Sequence, residues 1–128
     1  MRFNIDRSEP LIVLPVGLVG KSAKYIVNMA LDTGATFVMI PWDVAERLGY
    51  DPAISDDRIS ITTASTVEKV PLITLEEIDV LGQSLKNVKV AVHDLPAKSR
   101  VDGLLGLSFL NNFNLNLMFK KGYLELEE

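Results

Sequence analysis

The sequence contains no cysteine and a single histidine, His93. Disulfides and thiol nucleophiles are therefore excluded, and a zinc site would have too few ligands of the usual kind. Long apolar runs are missing too: no stretch approaches the roughly 20 residues that cross a bilayer as a helix. Basic charge is in deficit. The 13 Lys and Arg are outnumbered by 17 Asp and Glu, for a net charge of −4. The cations are scattered, which speaks against a nucleic-acid surface. Residues 11–19, LIVLPVGLV, follow Arg2 and Arg7, but Asp6 and Glu9 cancel those charges and no small-x-small cleavage site follows. These absences lead to the expectation of a cytoplasmic protein with no metal, no cofactor, no nucleic-acid partner and no membrane partner.

A phosphate-binding loop is missing as well, although GLVGKSA at residues 17–23 ends like one. That motif needs a glycine five residues before Gly20, where Pro15 stands, and a helix after it, where residues 25–31 read as a strand. Residues 20–23 are expected to form a turn with a solvated Lys21.

What the chain does contain is short β-branched runs separated by turn residues. Strands are expected over residues 2–5, 11–16, 25–31, 58–63, 67–72, 75–80 and 85–92, then over an alternating run at 113–119 and a last strand at 123–127. Pro15 marks an edge or a bulge. PWDVAERL at 41–48 reads as a short helix with Pro41 at its first position, and 107–112 as a second. This is an all-β domain with two short helices, and closure into a barrel is the natural way to hide so many strand edges.

One residue stands out against this pattern. Asp32 interrupts the apolar run MALDTGATFVMIP at residues 29–41, and an ionised carboxylate is costly in such surroundings unless something pairs with it. Thr33 and Gly34 follow at once. Farther on, VDGLLGLSFL places Leu104, Leu105 and Gly106 before the second helix.

The DTGAT stretch, the hairpins after it and DGLLGLSFL resemble the retropepsin-like (retroviral-type) aspartic proteases, especially their single-domain cellular and bacterial relatives. The resemblance runs from about Leu11 to the final hairpin and implies one such domain over residues 1–128. It implies a closed acid-protease-like β-barrel in which the Asp-Thr-Gly turn crosses the Leu-Leu-Gly segment. It also implies a homodimer with one active site on the two-fold axis. Asp32, Thr33 and Gly34 are then the catalytic motif. Ala35, Thr36, the flap residues Thr63, Ala64 and Ser65, and Leu104, Leu105 and Gly106 fall to substrate binding. Many viral relatives carry an Asp and an Arg where this chain has Thr36 and Leu107, so a substrate-end contact and a dimer strut are lost together.

The chemistry gives its own reason for a second copy. Peptide hydrolysis without metal or thiol needs one group to take a proton from water and another to give one. Two carboxylates about 3 Å apart do both, because they cannot both ionise and so keep one proton. No second Asp-Thr-Gly or Asp-Ser-Gly occurs: Asp102-Gly103 lacks the hydroxyl residue, and Asp56-Asp57-Arg58 lies in a polar loop. The partner of Asp32 is therefore expected from another copy of the chain. Ala35 has no hydroxyl to bond the carboxylate, which favours a less acid optimum. The reading is a homodimeric aspartic endopeptidase acting on peptides or proteins at apolar sites. Its rival is a non-catalytic module that keeps the fold to grip a peptide or to dimerise.

Overall fold

The computed structural model describes residues 1–62 and 65–128, so Thr63 and Ala64 of the expected flap tip lie outside the described residues. Its framework is a ring of strands. β2 (Val13–Val19) and β3 (Lys24–Leu31) form an antiparallel hairpin with Val16 opposite Val27. β3 then pairs in parallel with the two-residue β8 (Leu104–Leu105), which pairs on its other side with β4 (Val38–Ile40). β4 runs parallel to β7 (Gln83–Val92), β7 pairs with β6 (Val67–Val80), and β6 returns to β2 through Gly17–Asp79. The expected barrel closure is thus present. β5 (Arg58–Thr62) lies outside the ring as a hairpin partner of β6. A second sheet joins β1 (Arg2–Asn4), β10 (Tyr123–Glu127) and β9 (Asn114–Met118) in that order.

Local chemistry explains most of these elements. Pro15 faces Asn28 across the β2–β3 pair, at a point where β2 has no second neighbour, which makes it the edge position its ring requires. Asn28 turns its N–H and C=O away from Pro15, to the Asp102 side chain at 3.1 Å and the Asp102 N–H at 2.7 Å. The missing proline N–H therefore removes no rung of the ladder. Residues 20–23 form the expected turn, with the Lys21 ammonium 5.1 Å from the centre of the Tyr50 ring.

The structure corrects the expected elements in three places. Residues 67–72 and 75–80 are not two strands but one, because β6 pairs with β5 as far as Pro71 and with β7 from Leu72 on. The turn at its end is tighter than read: Leu81 and Gly82, both at positive φ (48° and 82°), connect Val80 directly to Gln83. Pro41 precedes helix α1 (Trp42–Arg47) rather than opening it. The first helical N–H, that of Trp42, is accepted instead by the Asp94 carboxylate at 3.0 Å, from a segment distant in sequence.

The main core fills the ring. Leu14, Val16, Leu18, Met29, Val38, Ile40 and Phe109 are fully buried within it. A smaller apolar cluster of Val70, Leu72 and Ala91, with Phe37, Ile59 and Ile61 packed on it, lies beneath the β5–β6 hairpin. Among the described residues no helix is long and apolar enough to cross a membrane.

Candidate active site

Asp32 follows the last residue of β3, Leu31, and begins a loop that ends where β4 starts at Val38. The loop is pinned from behind by the segment that contains β8. Asp32 N–H donates to the Leu105 carbonyl at 3.1 Å, and Leu107 N–H donates to the Ala35 carbonyl at 2.8 Å. Within the loop, Ala35 N–H bonds the Asp32 carbonyl at 3.2 Å, and Gly34 N–H bonds Asp32 Oδ1 at 3.0 Å. These bonds hold the carboxylate in a fixed direction relative to the backbone.

The two strands that flank β8 leave it almost no room. A Cβ at Gly106 would stand 2.4 Å from the Phe37 carbonyl oxygen and 2.7 Å from that of Ala35. A Cβ at Gly103 would stand 2.4 Å from the Met39 carbonyl oxygen. Such distances mean overlap with backbone, so this crossing can be built only with glycine at both ends.

Asp32 is half-buried, not embedded, with Thr33 and Gly34 exposed beside it. The expected cost of placing its charge among apolar side chains therefore does not arise within one chain, because the residue sits past the strand end and reaches water. In front of the loop lies a cleft of about 500 Å³, roofed by Ile59, Ile61 and Thr62 of β5 and floored by Phe37, Met39 and Ala91. None of its described lining residues is charged.

The expected site residues divide sharply. Gly34, Ala35 and Thr36 line this cleft. Leu104, Leu105 and Gly106 do not: Leu105 and Gly106 are buried behind the loop, and Leu104 is held between β3 and β4. Within one chain their placement is behind the loop that carries Asp32. Of the three flap residues only Ser65 is described; it is exposed and does not line the cleft. The β5–β6 hairpin presents Ile59 and Ile61 to the cleft, which the alternation over β5 could have marked as sharing one face. Phe37 went unmarked because a lone aromatic after a turn carries no periodic signal.

Two further polar residues have partners within the chain. His93 follows the end of β7 as a partly exposed residue, its Nε2 3.4 Å from Glu68 Oε2 on the hairpin strand β6. Glu125 meets Arg2 of its own chain at 3.5 Å. Among the described residues no cluster of three or more His, Asp or Glu is arranged to hold a metal ion.

Comparison with known proteins agrees with this geometry. The family model described as aspartyl protease matches residues 18–109. An uncharacterized protein from the cobV 5′ region of a Sinorhizobium species is 30% identical over 90 residues, covering 70% of this chain and 37% of that protein. The chain thus spans little more than a third of the length of this curated relative. The crystal structure of a retropepsin-like aspartic protease from Rickettsia conorii superimposes with a TM-score of 0.70 at 23% identity. That match covers 98% of this chain and 88% of the other. At this identity the structural match establishes a retropepsin-like fold.

Proposed function

This chain belongs to the aspartyl protease family, and from that premise we propose that it is a cytoplasmic, homodimeric endopeptidase whose catalytic residue is Asp32. Each of two copies contributes one Asp-Thr-Gly turn. Water held between the two Asp32 carboxylates loses a proton to the ionised one and attacks the peptide carbonyl. The protonated carboxyl supplies a proton to the substrate, so that the pair ends each addition step with its roles exchanged.

The observation that carries this reading is the surroundings of Asp32. Its carboxylate is half-exposed, fixed by the Gly34 N–H, and stands next to a cleft with no charged lining. Among the described residues, a Cβ added at Gly34 would have within 4 Å only Asp32 Oδ1, at 3.3 Å, and no backbone beyond its own chain neighbours. A second backbone fits such a space. The uncharged roof and floor suit an extended peptide with bulky apolar side chains on either side of the cut.

The test is a peptide-library digest between about pH 4 and 7, with wild type and Asp32→Asn side by side. Cleavage by wild type alone, with fold and assembly unchanged in the variant, supports the proposal. Retained cleavage by Asp32→Asn overturns it. Peptide binding without cleavage by wild type assigns the chain to a peptide-gripping module instead.

A further inference from the structure

Directly after the Asp32 loop the chain re-enters the barrel at Val38. There β4 runs parallel to β7, with Val38 opposite Val90, Met39 opposite Ala91 and Ile40 opposite Val92. The phase of this ladder follows from His93 N–H, which donates to the Ile40 carbonyl at 3.0 Å. Two residues earlier the same phase directs the Val38 N–H towards the Lys89 carbonyl. A side chain from helix α2 (Leu107–Leu110) stands at that rung: Ser108 Oγ accepts the Val38 N–H at 2.8 Å and donates to the Lys89 carbonyl at 2.7 Å. A hydroxyl has one proton to give, and here it goes to Lys89 while a lone pair takes Val38.

The same short helix holds the loop a second time, since Leu107 N–H bonds the Ala35 carbonyl at 2.8 Å. Its own position is set by Phe109, which is fully buried in the main core. Helix α2 therefore grips the chain at Ala35 and at Val38, on either side of Thr36 and Phe37. Phe37 and Met39, the neighbours of Val38, floor the cleft.

We propose that Ser108 is a positioning residue for the Asp32 loop: its hydroxyl sets where β4 begins, and with it the stance of the carboxylate and the cleft floor. The structural part stands on the bonds above. Its consequence for turnover rests on the reading of Asp32 as the catalytic group.

The test compares Ser108→Ala, Ser108→Thr and Ser108→Val by amide hydrogen exchange and by kinetics. Alanine is a better helix former than serine, so a loss in Ser108→Ala is not an effect on helix propensity. The hydroxyl-free variants should speed exchange at Gly34, Ala35 and Val38 by about tenfold, with the β9–β10 amides unchanged. Their kcat should fall about tenfold with KM within about twofold, while Ser108→Thr keeps both near wild type. Should the alanine variant not fold, the nearly isosteric threonine and valine variants carry the same comparison. Unchanged exchange at Gly34, Ala35 and Val38 without the hydroxyl overturns the proposal, as does full kcat. A wild-type chain that cleaves nothing removes the reading of Asp32, while the exchange measurement still decides whether Ser108 holds the loop.

Discussion

Gly34 and Gly106 sit on the two segments that cross at the site, yet their surroundings differ. At Gly106 an added Cβ would overlap two backbone oxygens of the same chain, at 2.4 and 2.7 Å. At Gly34, among the described residues, it would meet Asp32 Oδ1 alone, at 3.3 Å, and no backbone oxygen. Neither glycine has a positive φ, so backbone strain does not distinguish them. Glycine at 106 is a requirement of folding one chain. In the proposed reading, the place in front of Gly34 is taken by the backbone of a second copy. In that reading the two glycines separate what supports the site from what meets a partner.

The largest effect expected on this contrast is chemical. Asp32→Asn should lower turnover at least about a thousandfold, through loss of the acid–base pair, while the thermal midpoint stays at the wild-type value. Next comes Gly106→Ala, which should cost about 3 kcal/mol of folding stability in urea titration because the obstructing atoms are backbone and cannot rotate away. Gly34→Ala should change single-chain stability by less than about 0.5 kcal/mol, yet weaken self-association in analytical ultracentrifugation and lower activity with it. If its folding stability falls as far as that of Gly106→Ala, the distinction between the two glycines collapses. The smallest effect belongs to the terminal sheet, away from the crossing. Glu125→Gln breaks a largely exposed pair with Arg2 and should cost less than about 1 kcal/mol, an effect that shrinks further in added salt.

The parts of the fold that could be read in advance are those whose signal is local. Alternation marked β9 and β10, and the turn residues around Gly20 marked where the first hairpin reverses. β6 was misread as two strands because the change of partner at Leu72 leaves no mark that a period can detect. β8 escaped altogether, since two residues are too few for any period. Of the cleft lining, Gly34, Ala35 and Thr36 were legible because they belong to or follow the Asp-Thr-Gly motif. Ile59, Ile61 and Phe37 were not, because what assigns them to the cleft is the folding of the β5–β6 hairpin over the loop. Ser108 reads as an ordinary polar residue in a short helix until its two backbone partners are known.

By itself, the amino-acid sequence determined the strand-rich class, the absence of thiol chemistry and the single Asp-Thr-Gly turn after an apolar strand. All of these depend on composition or on neighbours a few positions apart. Only the tertiary structure decided that Asp32 reaches water, that Leu105 and Gly106 support the loop from behind rather than touch the cleft, and that Ser108 bridges two strands. Each of these is a relation between segments far apart in the chain, and the atoms that decide it become neighbours only when the barrel closes.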